Sequence, residues 1–122
     1  MTTGISSAEA NEAVDAWLAS YTWVKLHVGD PGAAGAGNAA TETTRKQATW
    51  AAASAGASSN TGALSWTSVA GTEDFTHFSI WTASTAGTFG GSGTITANSV
   101  TAGDTFTIGA GDLDISLAPI AA

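Results

Sequence analysis

Cysteine is absent from this 122-residue chain, so neither a disulfide framework nor a thiolate metal site is available, and the redox compartment stays open. Cations are nearly absent as well: Lys25, Arg45 and Lys46 stand against ten acidic residues, for a formal net charge of −7. That balance repels phosphate backbones and anionic lipid, which argues against nucleic acid and membrane as partners. No stretch approaches the ~20 consecutive apolar residues of a membrane span. The opening Met1-Thr2-Thr3-Gly4-Ile5-Ser6-Ser7 has no basic region ahead of an apolar one, which predicts a soluble product without a cleaved signal. Charged residues are 11% of the chain, less than half of the roughly 25% usual in soluble domains. Ala, Gly, Ser and Thr fill the gap. Such a surface suits packing against neighbours, because short side chains lose little rotamer freedom when covered. A GC-rich genome produces the same enrichment in Ala and Gly.

The length fits a single domain spanning 1–122, large enough for one core without metal or disulfide staples. Ser6-Ser7-Ala8-Glu9 has the spacing of a capping box, and Ala10, Ala13, Val14, Trp17 and Leu18 recur with helical period. The pattern predicts one amphipathic helix over about 7–20, lying across an end or face of a sheet with Trp17 inserted. From Tyr21 onward the period becomes two: Val24, Leu26 and Val28 alternate with Trp23, Lys25 and His27, a half-buried strand closed by the turn chemistry of Gly29-Asp30-Pro31-Gly32. The loop through about Ala40 is long, and is expected to be mobile in free protein and fixed in an assembly. Further strands are expected at about 44–53, 63–69, 75–83, 88–97, 104–109 and 112–118, with Pro119 ending the last and turns at 54–62, 70–74, 84–87 and 98–103. Short strands punctuated in this way predict a mainly β fold: an antiparallel two-sheet β-sandwich, Greek-key or jelly-roll-like, with one N-terminal helix.

Residues able to carry chemistry are few. His27 and His77 show no metal-ligand spacing to each other or to a carboxylate, so no metal or other cofactor is expected. Asp112 and Asp114 share a strand face, and with Asp104 they resemble a calcium ligand set less than a solvated acidic face, since the Asp-x-Asp-x-Asp-Gly loop is missing. Gly91-Ser92-Gly93 lies in a Gly-rich β segment rather than on a strand-to-helix elbow, and no glycine cluster opens a helix or carries a P-loop lysine. A catalytic residue is therefore not expected. Five tryptophans are a real excess. Trp17, Trp50 and Trp66 have apolar neighbours in phase and belong to the core, whereas Trp23 and Trp81 run out of phase with Val24/Leu26 and Phe78/Ile80. Trp23 and Trp81 thus point outward, into an interface, or under the helix. Arg45-Lys46, the only basic pair, reads either as an anchor for an acidic neighbour or as a solvated strand start.

Four phrases carry a family likeness: Trp23-Val24-Lys25-Leu26-His27-Val28-Gly29-Asp30-Pro31-Gly32, then Thr44-Arg45-Lys46-Gln47-Ala48-Thr49-Trp50, then Thr76-His77-Phe78-Ser79-Ile80-Trp81, then Gly87-Thr88-Phe89-Gly90-Gly91-Ser92-Gly93. In this order they resemble the small tail-fibre or minor-tail virion proteins of tailed phages that infect actinobacteria. The resemblance implies a non-enzymatic structural protein, assembled in the host cytoplasm and displayed on the virion in several copies. Its partners would be copies of itself and other virion proteins of the tail, with Trp23, Arg45, Lys46 and Trp81 as contacts, and a host-surface glycan stacked on an exposed tryptophan. Two alternatives stand beside it. A head-decoration protein bridging major capsid subunits fits the short chain without a fibrous shaft; a carbohydrate-binding module fits the tryptophans.

Overall fold

The computed structural model describes residues 5–116, without the side chains of residues 96–98. Helix α1, Ser7–Ser20, starts where the capping box places it: Ser6 is extended and its hydroxyl accepts the Glu9 amide at 3.3 Å. Ala10, Val14 and Leu18 are buried, while Ala13 is exposed and Trp17 half-buried, so the core-facing stripe is narrower than the sequence pattern. Trp17 reaches sideways, its indole N–H donating to the Gly90 carbonyl at 2.9 Å. Only glycine permits this docking, because a Cβ on Gly90 would lie 2.2 Å from the Tyr21 ring and one on Gly91 2.6 Å from Trp17. Asn11 and Asp15 on α1 accept the amides of Gly56 and Ala53, each at 2.8 Å, and so hold the 53–56 segment against the helix.

Eight strands follow: β1 (Trp23–His27), β2 (Lys46–Gln47), β3 (Ala57–Ser59), β4 (Leu64–Trp66), β5 (Glu73–Trp81), β6 (Phe89–Val100), β7 (Phe106–Ile108) and β8 (Asp114–Ser116). The main sheet has the order β2-β1-β5-β6, antiparallel throughout. Opposite it stand two antiparallel ribbons, β3–β8 and β4–β7. Pairing is nested, β5–β6 within β4–β7 within β3–β8. The expected mainly β sandwich with one N-terminal helix is thus present, its second sheet divided into two ribbons. Between the layers lies one apolar cluster, to which the main sheet gives Val24, Leu26, Phe78 and Ile80, the ribbons Leu64, Trp66, Phe106, Ile108 and Ile115, and the helix Val14 and Leu18. Phe75 and Phe106 meet across the layers with centroids 4.8 Å apart and planes tilted by 60°, a favourable edge-on geometry.

Several boundaries differ from the expectation, each for a tertiary reason. β1 stops at His27, and Val28, placed by period on the core side, is 40% exposed because the chain turns back there. The strand expected over 44–53 shrinks to the two residues of β2; Trp50 keeps an isolated bridge to Asn60 and donates its N–H to the Tyr21 carbonyl at 3.2 Å. β3 falls inside the stretch 54–62 expected to be a turn, because Ser58 finds its partner in Ile115, far along the chain. The expected 63–69, 75–83, 88–97 and 104–109 strands correspond to β4, β5, β6 and β7 with shifted ends, and β8 covers Asp114–Ser116 of 112–118. Residues 117–118 and the stop at Pro119 lie outside the described residues.

Asn60 holds the ribbons in place. It is 1% exposed, its Oδ1 accepts the Gly111 and Leu113 amides at 3.1 and 3.0 Å, and its Nδ2 donates to the Gly62 and Gly109 carbonyls at 2.8 and 3.1 Å. One buried amide thereby ties the β3–β4 connection to the β7–β8 turn. Asn60→Ala is expected to lower unfolding free energy by about 2–4 kcal/mol, since several buried backbone groups lose their partner together. Thr67→Ala at an exposed site should stay within about 0.5 kcal/mol; urea denaturation of both variants checks the contrast.

Candidate functional site

The β1–β5 register gives the main sheet two unlike faces. Val24 opposes Ile80 and Leu26 opposes Phe78 on the core side, while Trp23 opposes Trp81, Lys25 opposes Ser79 and His27 opposes His77 on the outer side. The two tryptophans singled out in the sequence are therefore direct cross-strand neighbours, both half-buried. β2 sets Gln47 beside Trp23 and Lys46 beside Val24. Lys46 accordingly belongs to the core side at the sheet edge, apart from the aromatic pair.

Arg45 joins the pair from the chain just ahead of β2. Its guanidinium carbon lies 4.3 Å from the centroid of the Trp81 ring, a cation–π contact. The same group donates through Nη1 to the Ala83 and Ala86 carbonyls at 2.8 and 2.6 Å, clamping the turn between β5 and β6. Partial burial lowers the Arg45 pKa from its ordinary value, yet a guanidinium stays charged across the physiological range. Phe89 packs on Trp81 with centroids 5.5 Å apart and planes tilted by 52°. Four of the five indole N–H groups are bonded within the chain, those of Trp17, Trp50, Trp66 and Trp81. Trp23 makes no such bond among the described residues and carries the open edge of the cluster.

A hydrogen-bond chain runs inward from Trp81. The Trp81 indole donates to Ser79 Oγ at 2.7 Å, Ser79 Oγ lies 2.7 Å from His27 Nε2, and His27 Nδ1 lies 2.8 Å from the Gly37 carbonyl. A carbonyl only accepts, so the His27 proton sits on Nδ1; Nε2 then accepts from the Ser79 hydroxyl, which in turn accepts from Trp81. His27 and Ser79 are both fully buried. The reason is the long loop, which folds back over the outer face: the Val28 amide donates to Asn38 and the Ala40 amide to Leu26, at 2.8 and 3.2 Å. Gly35, at φ +75°, lies flat on Phe89, where a Cβ would come within 2.3 Å of the ring.

This geometry bears on catalysis. A serine hydroxyl bonded to a histidine nitrogen is the arrangement of an activated nucleophile, but here a carbonyl rather than a carboxylate holds the other ring nitrogen, and neither side chain is open to solvent. Among the described residues no three His, Asp or Glu side chains converge on a common point. Asp104, grouped in the sequence with Asp112 and Asp114, accepts the Thr101 amide at 2.9 Å within its own turn. Asp112 and Asp114 instead flank a cleft of about 450 Å³ whose lining includes Ile95, Phe106 and Ile108. A second hollow, about 630 Å³, lies between α1 and residues 47–52 and is lined by Asp15, Leu18 and Trp50 among others.

Sequence reasoning missed His27, Ser79, Gly35 and Phe89 as parts of this region. His27 has the outward phase of Trp23 and Lys25, and only the return of the loop buries it. The glycine-rich run following β1 was the available signal, since a loop pressed flat against a sheet needs residues without side chains.

Burial pushes the His27 pKa below its ordinary value; the hydrogen bond to the Gly37 carbonyl opposes the fall, and Lys25 and His77 add to it. The unfolded chain then binds a proton more readily than the folded one, so this contribution to stability is complete above about pH 6.5 and is lost as pH falls below it. Melting temperature should drop between about pH 7.5 and about pH 5.5, and His27→Gln, lower in stability throughout, should show a flatter dependence over that window. Parallel slopes for the two proteins in a thermal melt series would contradict the assignment.

Comparison with curated proteins gives no match. A family model described as Podophage GP4 fiber I protein gp80 matches residues 7–116, from the first residue of α1 to the last of β8. The chain belongs to that family of phage fibre proteins.

Proposed function

We propose, from this membership, that the chain is a non-enzymatic structural component of a phage tail fibre, or a minor tail protein, displayed on the particle and acting through contacts with other virion proteins. The observation that carries this reading is the Trp23–Trp81–Arg45 cluster. Tryptophan and arginine dominate the energetics of protein interfaces, and here β-sheet register and two carbonyl bonds hold them on one outer face before any partner arrives. Little ordering cost remains to be met on binding. Trp23, whose indole N–H is unbonded among the described residues, is the central contact; Arg45, stacked on the neighbouring Trp81, supplies positive charge on the same face, and Lys46, on the other side of the sheet edge, is a separate contact in an otherwise acidic chain. The abundance of Ala and Gly fits the GC-rich genome of a phage with an actinobacterial host. Assembly would occur in that host's cytoplasm.

The open Trp23 edge supports a host-surface glycan as a second ligand, since an aromatic face with a free donor suits a sugar ring. Retention of the purified protein on host envelopes, lost in Trp23→Ala, would identify that use.

Immunogold labelling and mass spectrometry of intact particles test the principal reading: label is expected on the tail, and particles devoid of the protein would overturn it. In phage carrying Trp23→Ala, incorporation should fall by roughly tenfold or more, as for loss of an interface hot spot, with the melting temperature of the isolated protein changed by only a few degrees.

A further inference from the structure

Residues 29–40 lie as a strap over the outer face of the main sheet, and Pro31, Gly35 and Ala40 are buried within it. Its own bonds, from the Gly37 amide to the Pro31 carbonyl at 2.8 Å and from Asn38 Nδ2 to the Asp30 carbonyl at 2.9 Å, keep it compact. Its return leg is tied to β1 through the Val28–Asn38 and Ala40–Leu26 bonds. Among the described residues the one sheet side chain that it bonds is His27, at the Gly37 carbonyl. Only Ala40 of the strap belongs to the apolar cluster, so the rest can lift without opening the core.

The hydrogen bonds beneath the strap run in one direction: Trp81 Nε1 donates to Ser79 Oγ, the Ser79 hydroxyl to His27 Nε2, and His27 Nδ1 to Gly37. With His27 neutral the chain closes completely, and no buried side-chain nitrogen or oxygen among the described residues lacks a partner. A proton on Nε2 turns that atom into a donor. Ser79 Oγ then receives two donors, and its own hydrogen loses its acceptor, which is costly in a buried site. The charge is no better placed. Both imidazolium N–H groups would point at uncharged oxygens. Lys25 on the same strand and His77 directly across on β5 oppose a further positive charge, and Arg45 lies on Trp81. Asp30, the carboxylate of the strap, is exposed and accepts the Gly32 amide in its own turn, and β6 carries no charged residue. Paired strands surround His27 and the core lies beneath it, so the strap is the cover that can yield and admit water.

We propose that the strap is an acid-released cover: once His27 takes a proton during a transient opening, the strap stays lifted, and Ser79 and the Trp81 indole N–H are exposed beside Trp23 while the four-stranded sheet remains paired. The transition is a population shift, because the lifted form accepts the proton more readily than the closed form. Acid thereby gates what the outer face offers. Below about pH 6, the range in which histidine charges, the aromatic cluster gains a hydroxyl and an indole donor that are bonded to each other when the strap is closed. The switch belongs to the isolated chain and holds whatever partner the face receives.

The test is hydrogen exchange followed by NMR well below the melting temperature, with each rate corrected for the intrinsic effect of pH. Between about pH 7.5 and about pH 5.0, protection of the Val28 amide and of the Trp81 indole N–H should fall by roughly thirtyfold, the ratio of charged to neutral imidazole at the lower pH for an ordinary histidine near 6.5. The β5 amides paired with β1 should keep their protection. In His27→Gln the same two groups should not respond to pH, whereas His77→Gln should respond as the wild type does. Imidazole nitrogen shifts of the wild type give a reading that needs no variant: at about pH 7.5, His27 should carry its proton on Nδ1 and none on Nε2. Protection at Val28 and Trp81 that is indifferent to pH, that falls equally in β5, or that falls as far in His27→Gln would overturn the switch, as would a proton on Nε2 at the higher pH. Any of these results leaves the fibre assignment standing, since labelling of particles decides that separately.

Discussion

The pairing of β1 with β5 is the constraint on which the rest of this molecule depends. Its register assigns Val24, Leu26, Phe78 and Ile80 to the core and Trp23, Ser79, Trp81 and His27 to the outside in one stroke. A slip of one residue would exchange the two sets, putting two indoles and a lysine in the interior and the aliphatic residues against the loop. The register is fixed from both sides, by the apolar layer beneath and by the bond from His27 to Ser79 above. The long loop is seated as a consequence, because the Gly37 carbonyl accepts a hydrogen bond from His27 Nδ1 and Gly35 rests on Phe89. Core formation and the shaping of the outer face are one event.

The loops are built by an unusual means for so acidic a chain. With three cations available, carboxylates are turned to backbone amides: Asp30 accepts from Gly32, Glu73 from Thr41 and Glu42, Glu42 from Thr44, Asp15 from Ala53 and Asp104 from Thr101. Charge-assisted bonds of this type are stronger than neutral ones and hold short turns in definite conformations. The acidic composition, which the sequence shows only as a bulk property, is thus largely local carpentry. Of the carboxylates outside this pattern, Asp74 accepts from the Ser99 hydroxyl, while Asp112 and Asp114 accept no hydrogen bond among the described residues.

What the sequence disclosed follows the range of the interactions involved. α1 was legible because capping by Ser6 and the spacing of Ala10, Val14 and Leu18 are contained within a few residues. β1 and β5 were legible because their alternation reports a two-faced sheet directly. β3 was not, since Ala57-Ser58-Ser59 has no alternating apolar pattern and owes its strand conformation to β8. The 44–53 segment misled because Trp50 resembles a strand residue locally while its indole serves the helix end. Trp23 and Trp81 could be placed off the core by phase alone, yet nothing near them announces that Arg45 covers a face of one and leaves the other open.

Arg45 recognises the β5–β6 turn through the main-chain oxygens of Ala83 and Ala86 and ignores what those residues carry. Side chains at the tip, Ser84 and Thr85, are exposed and take no part in the clamp. A lineage under pressure to alter its outermost appearance can therefore rewrite that tip while the indole behind it keeps its posture. Variability at the surface and constancy of the aromatic face beneath it are made compatible by a recognition element blind to identity.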